Sequence, residues 1–182
     1  MKGLITSLCT VLVFLASCTN NEKEIRALVT SFESQPVEIP YSLLERVECI
    51  PEQDTIVTRG SFRFVTYVDS AECLSCSFHQ LTNNEQKVIG NSFMDSIKME
   101  YIVCVPKSER KSVYINLCKS RLHGCVYFDY AGVTVKENPL LDKSSLLHSF
   151  VLNNRNEVVL VGNPFGNEKL YELLLEIMRE DR

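Results

Sequence analysis

The segment with the most chemical content is Cys73-Leu74-Ser75-Cys76. Thiols three residues apart lie on nearly the same side of one helical turn, within reach of each other. Upstream, Phe62 to Val68 is rich in aromatic and β-branched residues and predicts a buried strand. Downstream, Leu74, Phe78 and Leu81 mark an apolar helical stripe. Cys73 is therefore expected at a helix N-terminus, where unpaired N–H groups and the helix dipole favour a thiolate. Its pKa should fall, which raises its reactivity near neutral pH. Cys76 can then attack a mixed disulfide formed at Cys73. Glu72, beside Cys73, should oppose that thiolate as a like charge. The same cysteine spacing occurs in zinc sites, but its place between a strand and a helix favours a redox dithiol.

The chain has 8 cysteines and 3 histidines. Cys118 and Cys125 would lie at a helix end and a strand start, and their spacing suits a structural disulfide. The alternative is two buried thiols packed as small apolar groups. Cys104 falls inside an apolar strand and reads as core, while Cys49 has no evident local partner. His79 reads as solvated and His123, before Gly124, as part of a turn. No phosphate loop and no Ser/His/Asp arrangement is present, so kinase and hydrolase chemistry find no support.

The elements that must position these residues follow from periodicity. Ile25, Leu28, Val29 and Phe32 form one face of a short helix that stops before Pro36. Residues 40–60 read as irregular, with a brief strand near Val47. After the motif helix, which Asn83-Asn84 should break or kink, a strand spans Met99 to Val105 and a helix follows over about 108–122. Cys125 to Tyr130 is a further strand. Ser149 to Leu152 and Glu157 to Val161 flank Asn153-Asn154-Arg155-Asn156 as a hairpin. Leu170, Leu173, Leu174, Ile177 and Met178 then give a terminal amphipathic helix beginning near Glu168.

This order of strand, CxxC at a helix start, helix, strand, helix, hairpin and final helix resembles the thioredoxin-like superfamily over about residues 60–182. The extra Cys125–Tyr130 strand looks like the insertion of the membrane-anchored TlpA/ResA-type thiol-disulfide oxidoreductases. The resemblance implies an α/β class and a three-layer α/β/α sandwich with a mixed sheet and an N-terminal extension. It makes Cys73 the nucleophile and Cys76 the resolving thiol. The chain departs from the family pattern at three places. Glu72 stands where a Trp is usual, Leu74-Ser75 replaces Gly-Pro, and His148 occupies the position of a cis-proline just before the first hairpin strand. A cis bond before a non-proline residue costs about 2.5–4 kcal/mol, so a trans bond is expected there. In this fold the His148 loop passes over the motif, which makes His148 a substrate-loop candidate expected beside Cys73. Thioredoxin-like copper chaperones pair such a motif with a distal histidine, so His148 is also the one candidate third ligand for a soft metal.

Residues 1–17 carry Lys2 and an uncharged apolar stretch too short to span a bilayer, as in a secretory signal. Leu15-Ala16-Ser17-Cys18 resembles the bacterial lipobox, which implies cleavage before Cys18 and lipidation of its thiol. The expected organisation is a signal over 1–17, a tether over 18–24, an N-terminal extension over 25–60 and a thioredoxin-like domain over 61–182. The implied location is the cell envelope facing the periplasm, where disulfides persist. Thr19 after Cys18 lacks the acidic inner-membrane retention signal, which favours the outer membrane. With 45% hydrophobic and 23% charged residues the chain is globular, and a net charge of -4 argues against nucleic acid. The expected activity is thiol-disulfide exchange with protein or small-molecule thiols and disulfides, without a cofactor or resident metal. The alternatives are a non-catalytic binding or accessory lipoprotein, or a metal chaperone.

Overall fold

The computed structural model describes residues 22–48, 62–89 and 97–180. The signal and Cys18 readings fall outside these residues. The central strand β2 (Phe62–Val68) pairs in parallel with β3 (Ile97–Cys104), and β3 pairs in parallel with β4 (Cys125–Asp129). On the other side, β2 pairs antiparallel with β5 (Ser149–Leu152), which pairs antiparallel with β6 (Val158–Val161). A short edge strand β1 (Glu45–Val47) lies antiparallel to β4, so the six-stranded mixed sheet runs β1-β4-β3-β2-β5-β6.

The helices are α1 (residues 22–33), α2 (Leu74–Val88), α3 (Arg110–Ser120), α4 (Val133–Glu137) and α5 (Glu168–Glu180). The parallel crossovers β2–α2–β3 and β3–α3–β4 step in the same direction. With one handedness available to such units, α2 and α3 share a face of the sheet. Phe78 and Leu81 of α2, Val113 and Leu117 of α3, and Leu174 and Met178 of α5 pack there on Phe64, Tyr101, Val103 and Phe128. The opposite face carries Val65, Tyr67, Ile102, Phe150 and Leu152. It is covered by Phe32 of α1, by Val37, and by Leu141 and Leu147 in the connection from β4 to β5. Full burial of such side chains contributes roughly 1.5–3 kcal/mol each.

The N-terminal extension is thus part of the second layer. Its helix already includes residues 22–24, which the sequence pattern assigned to the tether. Beyond α1, Tyr41 donates to the buried carboxylate of Glu100 on β3, which also pairs with Arg63 at 3.5 Å and Lys98 at 2.6 Å. Three neighbours thereby compensate one carboxylate that is 1% exposed.

One local expectation fails for a tertiary reason. Helix α2 runs unbroken through Asn83-Asn84. Asn84 is buried and its amide oxygen accepts from Asn163 at 3.4 Å, and the next residue, Glu85, accepts from the amides of His123 (2.8 Å) and Gly124 (2.7 Å). Partners supplied by distant loops remove the usual reason for these residues to leave a helix. In the loop before α2 the Asp69 carboxylate accepts from the Ala71 amide at 3.1 Å, and the N-cap position falls to Cys73.

The proposed Cys118–Cys125 disulfide is not formed. Cys118 is disulfide-bonded, but Cys125 is a free thiol, as are Cys73, Cys76 and Cys104. Strand alternation gives the reason. Val126 and Phe128 of β4 face α3, so Cys125 points to the opposite side of the sheet, away from the helix that bears Cys118.

Candidate functional site: the Cys73–Cys76 dithiol

The buried strand β2 ends at Val68, the loop 69–72 turns the chain, and Cys73 takes the N-cap of α2. The first intrahelical bond runs from the Ser77 amide to the Cys73 carbonyl, 3.0 Å. At an N-cap the side chain faces the free amides of the first turn, where an oxygen or thiolate is welcome. Cys73 and Cys76 are both exposed, with their sulfurs 2.7 Å apart. A disulfide bond is about 2.05 Å, so closing the pair requires little motion.

The two thiols are electrically unequal. Cys73 is pushed down to about 7. The Cys76 thiol bonding to it is the largest cause, followed by the Ser75 hydroxyl at 3.4 Å and then the amides of Cys76 and Ser75. Cys76 is pushed up, by the same hydrogen bond and by repulsion from the Cys73 charge. Of the two sulfurs, Cys73 therefore gives up its proton the more readily. Ser75 contributes to this asymmetry; the sequence reading used it only as a replacement for the family's Gly-Pro. Its position between the cysteines was the available signal.

His148 enters from the far side of the sheet's central pair. The antiparallel register sets Ser149 of β5 opposite Thr66 of β2, so His148 falls opposite Tyr67, one step below the motif loop. Its ring meets the Tyr67 ring edge-to-face at 5.2 Å. Burial, with Cys104 beside the hydroxyl, pushes the Tyr67 phenol up. No peptide bond among the described residues is cis, including the one before His148. The hydrogen bonds of His148 go to Glu72 and to the chain, not to a motif sulfur. Nδ1 lies 3.1 Å from Glu72 Oε1, and Nε2 lies 3.1 Å from the Leu141 carbonyl. The other Glu72 oxygen accepts from Ser77 Oγ at 3.2 Å. The carboxylate expected to oppose the thiolate is thus engaged elsewhere, and both ring nitrogens that could have bound a metal are in use. Among the described residues no group of three His, Cys, Asp or Glu side chains is placed to hold a metal ion.

The remaining singled-out residues lie away from the dithiol chemistry. His79 is exposed on α2, and His123 binds Glu85 in the turn before β4. Cys104 is half-buried at the end of β3.

No family profile and no curated protein matches the chain. Solved structures do. A candidate thiol-disulfide oxidoreductase from Bacteroides vulgatus superposes with a TM-score of 0.51 at 11% identity, over 78% of this chain and 90% of that one. A candidate thiol:disulfide interchange protein DsbE from Chlorobium tepidum gives 0.47 at 17% identity, over 66% and 82%. A candidate electron transfer protein from Aquifex aeolicus gives 0.49 at 14% identity, over 81% and 97%. At such identities the likeness speaks for the fold alone. Together with the mixed sheet and the strand–CxxC–helix unit, the likeness to the Bacteroides vulgatus structure shows that this chain has a thioredoxin-like α/β fold.

Proposed function

We propose that this protein is a thiol-disulfide oxidoreductase of the cell envelope, anchored by lipid at Cys18 and using Cys73 and Cys76 as its redox pair. The observation that carries the proposal is the asymmetric dithiol: a depressed Cys73 at the first turn of α2, with Cys76 at 2.7 Å. In the reducing direction the Cys73 thiolate attacks one sulfur of a substrate disulfide. The substrate S–S bond breaks, its second sulfur leaves as a thiolate and takes a proton, and Cys73 is left in a mixed disulfide. Cys76 then gives up its proton and attacks Cys73 Sγ, releasing the first substrate sulfur. The substrate gains two electrons and two protons, and the protein is left with a Cys73–Cys76 disulfide. The reverse sequence oxidises a substrate dithiol.

The exposure of both sulfurs suits protein disulfides as well as small ones. The disulfide at Cys118 fits an oxidising compartment, in keeping with the secretory leader and lipobox at the N-terminus and with a periplasm-facing, outer-membrane position. The test is insulin-disulfide reduction by the reduced protein, together with trapping. Cys76→Ser should accumulate a mixed disulfide on Cys73, which mass spectrometry of a tryptic digest locates. Absence of both insulin reduction and trapped adduct would overturn the proposal in favour of a non-catalytic binding lipoprotein.

A further inference from the structure

Glu72 poses a problem for the reactive thiolate that the structure also answers. It is the residue directly before Cys73, so a full carboxylate charge there would raise the cost of ionising the thiol. Instead its Oε1 is 3.1 Å from His148 Nδ1, and its Oε2 accepts from Ser77. The other ring nitrogen of His148 faces the Leu141 carbonyl, which can only accept. With an acceptor at Nε2, that nitrogen is the one placed to donate, and Nδ1 and Glu72 Oε1 are both acceptors unless the pair shares one further hydrogen. A pair that shares it has no net charge, whichever partner carries it. The geometry is held from several sides. The His148 side chain is only 12% exposed, its ring lies against Tyr67, and the β2–β5 register fixes its height.

We propose that His148 is a positioning residue for the exchange reaction: it neutralises Glu72 and holds the carboxylate away from Cys73, so that the first turn of α2 can carry the thiolate. This rests on the reading of Cys73 as the attacking thiol. The groups facing His148 are Glu72 from the loop before α2, the Tyr67 ring on β2 with Cys104 beside its hydroxyl, and the Leu141 carbonyl from the turn 141–143. Asp142 and Lys143 on that turn are exposed. Asp69 lies in the same loop as Glu72, where its carboxylate is bound to the Ala71 amide.

The test is a double-mutant cycle on the ionisation midpoint of Cys73, read from thiolate absorbance and from the pH profile of alkylation of the fully reduced, full-length protein. His148→Gln cannot supply the shared proton and leaves Glu72 with its full charge. A single charge a few ångströms away in a largely solvated setting should move the Cys73 midpoint up by about half to one pH unit, a roughly three- to tenfold loss of thiolate below the midpoint. Glu72→Gln should keep the midpoint near that of the unaltered protein. The double variant should lie within about a third of the His148→Gln shift. His148→Lys, which returns a positive charge to Glu72, should restore the midpoint and serves also if the glutamine variant folds poorly. An unchanged midpoint in His148→Gln, or the full shift persisting in the Glu72→Gln background, would overturn the proposal. Because the midpoint is measured without turnover, this cycle gives its answer even if the protein reduces no disulfide, and failure of the one is distinct from failure of the other.

Discussion

The depressed Cys73 thiol has a kinetic consequence that can be worked out in advance. At pH 7 a group with its midpoint at about 7 is half ionised. A free cysteine near 8.5 is about 3% ionised, so Cys73 holds a roughly 16-fold advantage in thiolate. A more acidic thiolate is a poorer nucleophile. With a Brønsted slope of about 0.45, a difference of about 1.5 units costs roughly fivefold. The net expectation is exchange with a small aromatic disulfide about threefold faster than free cysteine at pH 7. At pH 5.5 the thiolate advantage grows to about 30-fold and the net ratio to about sixfold. At pH 9 both thiols are ionised and Cys73 becomes the slower, at about a quarter of the free rate. The ratio should therefore cross unity close to pH 8. Stopped-flow measurement on the Cys76→Ser variant would leave only the attacking thiol, but it removes the largest cause of the shift. The primary assay must therefore use the unaltered reduced protein, with Cys73 labelling followed by mass spectrometry. Ser75→Ala, which removes the hydroxyl 3.4 Å from the sulfur, should move the midpoint upward and shrink the advantage at low pH. A rate ratio that never crosses unity, or labelling of Cys76 ahead of Cys73, would refute the reasoning.

Other expectations concern anchoring and stability. Cys18→Ser should abolish partitioning into a detergent phase, and an unmodified Cys18 thiol in membrane-derived protein would contradict the lipobox reading. Gly124→Ala places a Cβ 2.7 Å from the Tyr101 ring, 2.9 Å from the Met99 carbonyl and 3.0 Å from Glu85 Oε1. Such overpacking should lower unfolding stability by about 1–3 kcal/mol in urea titrations. Glu45 on β1 is held below the usual carboxylate range by hydrogen bonds from Arg110 and then Tyr130. A carboxylate depressed in the folded state contributes stability above its ordinary value, and that contribution is lost as the pH falls through the folded-state value. Unfolding measured at pH 7 and pH 3 should therefore differ less in Glu45→Gln than in the unaltered protein.

Much of the fold was legible in the residues. The aromatic and β-branched run Phe62 to Val68, the strand at Ser149 to Leu152 and the stripe from Leu170 to Met178 all form the predicted elements, because burial on a sheet or a helix face imposes a period on the side chains. The short helix α4 and the turns at 141–143 and 145–148 were not legible. They are too brief to show a period: α4 is held by the nearby Asp129 carboxylate, which accepts from the Val133 and Thr134 amides, and the two turns by Leu141 and Leu147, buried under the sheet. The expected break at Asn83-Asn84 fails because the partner of Asn84, Asn163, lies about 80 residues away, beyond any local pattern.

For the site, the chain itself determined the dithiol. The i, i+3 spacing and the strand-to-helix junction place two sulfurs on one turn whatever surrounds them, and the backbone amides there favour a thiolate by local geometry alone. Only the tertiary structure decided what becomes of Glu72. The β2–β5 register brings His148 to it across 76 residues, and a charge has no fixed effect on its neighbour until its own partner is known. The same holds for Cys118 and Cys125. Seven residues apart they are close along the chain, but the sheet lies between them, because alternation in β4 turns Cys125 to the face that α3 does not cover.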